Sequence, residues 1–63
     1  MTDQEKVQEI YPDSFASYFS FGGQLLCRIR TSTKELAQGY TEEDTWNRAW
    51  NYIQQEMLRK FER

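Results

Sequence analysis

The sequence contains no histidine, one cysteine (Cys27), one proline and three glycines. It also has no apolar run approaching the roughly 20 residues of a membrane span. Each shortage excludes something. A lone cysteine cannot close an internal disulfide, and without histidine there is no zinc-ligand set. Ser-His and Cys-His nucleophile pairs are absent, as is the commonest general base near neutral pH. Carboxylates remain, but 63 residues leave little room for a shielding cleft of roughly 300–1,000 Å³. The expectation is a protein that is not an enzyme and carries no cofactor or metal. The polar opening Met1 to Lys6 is unlike a signal peptide, and an unpaired thiol suits a reducing compartment. These features point to a complete small reading frame, cytoplasmic and without membrane contact.

What is abundant is aromatic: four phenylalanines, four tyrosines and two tryptophans. A chain of this length is one small domain, residues 1–63, and domains of about 60 residues bury only about 60% of their unfolded surface. Aromatic side chains bury ~150–250 Å² each, so the expected core joins a phenylalanine-rich hairpin strand to a tryptophan stripe on one helix. The net charge of −2 hides a pattern. Residues 1–13 sum to −3, residues 14–34 to +3 through Arg28, Arg30 and Lys34, residues 35–45 to −4, and residues 46–63 to +2. This balance is not that of a general polyanion binder.

Along the chain, Asp3 and Glu5 favour a helix start, Val7 and Ile10 lie three apart, and Pro12 pushes Tyr11 out of helical geometry. A short helix over 3–10 docks by Val7, Ile10 and Tyr11. Phe15, Phe19 and Phe21 share one parity before Gly22-Gly23, and Leu25, Cys27 and Ile29 alternate with Leu26, Arg28 and Arg30. The two runs predict a β-hairpin. Ser32 to Glu35 fits a capping box for a helical turn, and the competing reading, a short third strand at Glu35–Gln38, is preferred. Thr41 is an N-cap backed by Glu42 and Glu43, with Asp44 at the reciprocal capping position. Trp46, Ala49, Trp50, Ile53, Met57 and Phe61 then form one apolar stripe, with Arg59, Lys60 and Arg63 near the far end. The predicted architecture is α+β, αββ(β)α, with the long last helix packed on the sheet and its final turn protruding.

The hairpin register decides what faces out. A three-residue turn sets Phe21 opposite Leu25 and Phe19 opposite Cys27, which gathers the apolar side chains on one face. A strict Gly22-Gly23 turn sets Phe21 opposite Gln24 and mixes Phe15, Phe19 and Phe21 with Arg28 and Arg30. Because a one-residue slip turns a strand's whole apolar set over, burial favours the first register. Tyr18 then shares the outer face with Arg28 and Arg30, and tyrosine and arginine are enriched at binding hot spots. On the last helix, Tyr52 leaves the apolar stripe beside Arg48 and Arg59, and Leu58 projects elsewhere. The candidate partner-binding residues are therefore Tyr18, Arg28, Arg30, Tyr52 and Arg59. Trp46 and Trp50 are assigned to the core rather than to a stacking platform, and Cys27 is read as a buried thiol. The acidic set Glu35, Glu42, Glu43 and Asp44 is mostly occupied in starting a helix.

The segment Leu36-Ala37-Gln38-Gly39-Tyr40-Thr41, followed by a helix carrying Ala49, is similar in layout to the end of a double-stranded-RNA-binding domain. There a strand leads through a small residue and a hydroxyl cap into a helix whose first lysines contact phosphate. Here Glu42, Glu43 and Asp44 hold those positions and would repel phosphate, so the resemblance implies a shared fold without the activity. The longer pattern Val7…Tyr11-Pro12-Asp13, hairpin, Leu36…Gly39-x-Thr41…Trp46-x-x-Ala49 resembles short uncharacterised proteins of bacteria and their phages. That resemblance implies an accessory protein or inhibitor that binds a host protein complex. The expected function is a non-enzymatic protein-binding module with a protein partner. A homodimer is the variant, and a nucleic-acid-binding domain using the basic hairpin face is the alternative.

Overall fold

The computed structural model describes the backbone of residues 2–61 and the side chains of residues 2–60. Five elements follow in order: α1 (Asp3–Ile10), β1 (Phe15–Phe21), β2 (Gln24–Arg30), β3 (Glu35–Gly39) and α2 (Glu42–Phe61). The strands form an antiparallel sheet in the order β1-β2-β3. The third strand therefore forms, and the fold is αβββα.

Each helix start is chemically specified. Thr2 caps α1 through a reciprocal box: its hydroxyl accepts from the Glu5 amide, and the Glu5 carboxylate accepts from the Thr2 amide. Thr41 Oγ1 accepts from the Asp44 amide at 3.1 Å. The reciprocal half expected of Asp44 is replaced by an ion pair one turn on, with Arg48 Nε at 2.9 Å. Asp13 does a job the sequence did not signal. Its carboxylate accepts from the Ser32 amide and hydroxyl at 3.0 and 2.6 Å, which ties the α1–β1 connection to the β2–β3 loop. In that loop Thr31 Oγ1 accepts from the amides of Thr33 and Lys34, an arrangement that replaces the helical turn considered for this segment.

The hairpin adopts the strict two-residue turn. Phe21 lies opposite Gln24, Phe19 opposite Leu26, Tyr18 opposite Cys27 and Ala16 opposite Ile29. This overturns the register that burial favours in the sequence. Gly22 and Gly23 both have positive φ, +58° and +79°. Two consecutive left-handed residues make a type I′ loop, whose twist matches the strands it joins. Burial could not outweigh the turn because β1 is an edge strand, while α2 packs mainly over β3 and β2.

The core therefore differs from the expected one. It consists of Val7 from α1, Cys27 and Ile29 from β2, Leu36 from β3, and Trp46, Ala49 and Ile53 from α2, with Tyr11, Ala16, Ala37 and Trp50 packed at its margin. No phenylalanine of β1 belongs to it: Phe15 is 50% and Phe21 74% exposed. Leu36 enters the core through an irregularity in the β2–β3 ladder, where Ile29 pairs with Ala37 but Arg30 with Glu35. The extra residue turns the Leu36 side chain inward. Ile10, expected to dock α1, is 37% exposed and outside the core cluster, and Met57, expected on the core stripe, is 40% exposed, beyond Ile53, the last buried residue of α2 among those described. Phe61 and Arg63 fall outside the described side chains. The long axis measures 43 Å against 22 and 21 Å across, as expected of a helix that outruns its sheet.

Candidate functional site: the uncovered sheet face

The core residues of both helices meet the Cys27 and Ile29 side of the sheet, so strand alternation puts the opposite residues on an uncovered face. That face carries Phe15, Ser17, Phe19 and Phe21 from β1, Leu26, Arg28 and Arg30 from β2, and Gln38 from β3. Phe19 and Leu26 are directly opposed and half-buried. The Arg28 guanidinium lies over the Phe19 ring, 4.3 Å from its centroid, and Arg28 Nε contacts Glu35 Oε1 as an ion pair without hydrogen-bond alignment. Arg28 is thus held flat across the face by an aromatic ring and a carboxylate. Arg30, opposite Phe15, is exposed and has no ion pair or ring contact among the described residues.

Of the sequence candidates, Arg28 and Arg30 are brought together on this face and Tyr18 is not. Tyr18 lies opposite the buried Cys27, on the helix side of the sheet. The one-residue difference in register moves it there and puts the phenylalanines in its place. Its hydroxyl donates to Glu42 Oε2 at 2.7 Å, and the same carboxylate accepts from Trp46 Nε1 at 3.3 Å. The bond to Glu42 pushes the Tyr18 hydroxyl up to about 12 and, with Trp46, lowers the Glu42 carboxyl.

Tyr52 is likewise engaged within the chain. Its hydroxyl donates to Glu56 Oε1 at 2.8 Å. Lys34 Nζ lies 5.0 Å from the Tyr11 ring centre, 5.7 Å from that of Tyr52 and 3.6 Å from Glu56 Oε2. This cluster joins the end of α1, the β2–β3 loop and α2. Contact with Tyr11, then with Glu56, raises the Lys34 ammonium, and the bond to Glu56 raises the Tyr52 hydroxyl. Arg59 is exposed near the overhanging end of α2, away from the sheet face. The phenylalanines of the face, missed as site residues, were visible in the sequence as the outcome of the Gly22-Gly23 turn.

Other surfaces offer less. An open depression of about 500 Å³ between the two helix starts is lined by Thr2, Asp3, Gln4, Glu42, Glu43 and Trp46. Its carboxylates are partly spent on structure: Glu42 holds Tyr18 and Trp46, and Asp3 accepts from Asn47. Among the described residues no group of three acidic or sulfur side chains could hold a metal ion, and no helix is long and apolar enough to cross a membrane. No protein-family model, no curated protein and no solved structure matches this chain.

Proposed function

We propose that this chain is a small non-enzymatic protein-binding module that works through the uncovered face of its sheet. The observation that carries this reading is the exposure of Phe15 and Phe21 beside Arg28 and Arg30, on the side of the sheet opposite both helices. Aromatic side chains and arginine are enriched at protein interfaces, and here two exposed phenylalanines flank a half-buried one that lies under Arg28. The charge on the face is modest, because Glu35 offsets Arg28. That favours a protein surface with apolar pockets and a few carboxylates over a polyanion. The partner would be a component of a host complex, and the chain an accessory protein or inhibitor acting in the cytoplasm.

The test compares affinity capture by the parent chain with capture by Phe21→Ser and by Arg30→Glu. Both side chains are exposed, so the circular dichroism spectrum should not change while the captured partner is lost. Capture unaffected by both substitutions overturns the reading. The competing reading, stacking of single-stranded nucleic acid on the phenylalanines, requires binding that weakens steeply with salt. A labelled DNA and RNA panel that binds at low salt, and is released by Arg30→Glu, would replace the protein-binding reading with that one.

A further inference from the structure

The outer edge of β1 has a donor and acceptor pattern that fits only certain partners. A type I′ turn closes with the Gln24 amide donating to the Phe21 carbonyl, so Phe21 and Gln24 form a hydrogen-bonded pair, and such pairs alternate along an antiparallel ladder. Phe15, Ser17, Phe19 and Phe21 therefore direct their backbone groups toward β2. Ala16, Tyr18 and Ser20 direct theirs to the free edge, where no hydrogen bond reaches them among the described residues. Edge strands are ordinarily protected by charge, proline, a bulge or a cover. The edge strand β3 has Glu35, an irregular ladder and α2 packed against it. The seven residues of β1, Phe-Ala-Ser-Tyr-Phe-Ser-Phe, carry no charge, no proline and an unbroken register.

We infer that β1 pairs antiparallel with β1 of a second copy of this chain, about a two-fold axis at Tyr18, making a six-stranded sheet. The strand is complementary to its own copy. Centring on Tyr18 sets Ala16 against Ser20 of the second copy and Tyr18 against itself, and these are the residues whose backbone groups are free. The same register keeps the faces in phase and brings Phe15 beside Phe21 of the second copy. An uncharged strand meets no repulsion from its own copy, and an isologous contact of this kind closes at two. A foreign strand would satisfy the backbone equally but would not be matched in side chains. This inference does not depend on what the sheet face binds; it predicts that the face is doubled.

The test uses single cysteines in a Cys27→Ala background, because Cys27 lies directly opposite residue 18 in the same chain and would otherwise compete for the disulfide. In the paired strands, residue 18 lies about 5.5 Å between α-carbons from its own copy, within disulfide reach, whereas residues 16 and 20 each lie roughly 13 Å from theirs. Mild oxidation should give a covalent dimer from Tyr18→Cys and none from Ala16→Cys, Ser17→Cys or Ser20→Cys. Cross-linking of Ser17→Cys instead would show the sheets stacking by their outer faces, and would overturn edge pairing. Because Tyr18→Cys also removes the bond to Glu42, sedimentation of the parent chain provides an independent measurement. It should show a concentration-dependent dimer, weakened about tenfold or more by Ser20→Pro, which removes two symmetry-related ladder bonds at once. A parent chain that stays monomeric at the highest soluble concentration, or a dimer indifferent to Ser20→Pro, overturns the inference.

Discussion

At Gly39 the sheet and the last helix come close together. A Cβ at this position would stand 2.7 Å from Thr45 Oγ1 and 3.1 Å from Asp44 Oδ2. Thr45 is fully buried, with its hydroxyl donating to the Thr41 carbonyl, so it cannot swing aside. Gly39→Ala should cost about 1–3 kcal/mol, the range for overpacking a filled site, as read from denaturant midpoints. In a Thr45→Ala background the same change should cost less, since the clashing oxygen is gone. Additive costs would show that the contact is not the cause. Tyr18 offers a second test. Its hydroxyl is neutral in the bond to Glu42 and titrates at about 12, so a tyrosinate absorbance titration should contain a late phase that is missing from Tyr18→Phe. If Tyr18→Phe instead removed amplitude from the ordinary phase near about pH 10, the bond to Glu42 would not be formed in solution.

Among the elements, the hairpin separates what could be read from the sequence from what could not. The limits of α1 followed from Asp3, Glu5 and Pro12, and the start of α2 from Thr41, because caps and breakers act over three or four residues. The third strand and the buried Cys27 were also legible. The register was not, because burial selects a register only where a strand is covered, and α2 lies over β2 and β3. The local chemistry of Gly22-Gly23 was the better guide. The candidate site inherited that error: Arg28 and Arg30 were placed correctly on the outer face, while Tyr18 and the phenylalanines exchanged sides. Two pairs of variants distinguish the registers. Gly22→Asn should leave stability nearly unchanged, since asparagine suits the first position of a type I′ turn, whereas Gly22→Val should lower it by about 1–2 kcal/mol. Phe21→Ser should shift stability by less than about 0.5 kcal/mol, against about 2–5 kcal/mol for Ile29→Ala. The register favoured by burial predicts comparable, large costs for both.

At the scale of the whole molecule, the elements are tied together by exposed polar pairs as well as by the core. Asp13 joins two loops through Ser32, Glu42 joins α2 to β1 through Tyr18, and Glu56 joins α2 to the Lys34 cluster. All three carboxyls sit below their ordinary values, Asp13 through the bonds from Ser32, Glu42 through those from Tyr18 and Trp46, and Glu56 chiefly through the bond from Tyr52 and then through Lys34. A carboxyl lowered by folding stabilises the fold above its unfolded value, and that contribution is lost as pH falls through the folded one. The raised groups Tyr18, Tyr52 and Lys34 act in the opposite sense: their contribution is complete below the unfolded values and is lost as pH rises through the folded ones. Denaturant midpoints should therefore form a plateau between the carboxylate range and about pH 10, falling on both sides. Stability that kept rising toward acid would contradict these assignments. Among the described residues, the overhang of α2 beyond Ile53 and the open sheet face both expose large apolar side chains, and the face sets aromatic rings beside arginine.

The Gly22-Gly23 turn places Phe15, Phe19 and Phe21 with Arg28 and Arg30 on the side of the sheet away from the helices. Nuclear Overhauser contacts between α-protons test it most directly, because these protons come close only in the non-hydrogen-bonded pairs of an antiparallel ladder. Strong contacts are expected between Ala16 and Ile29, Tyr18 and Cys27, and Ser20 and Leu25. Contacts that instead pair Phe19 with Cys27 or Ser17 with Ile29 would show the slipped register, return the phenylalanines to the core side, and remove the proposed site.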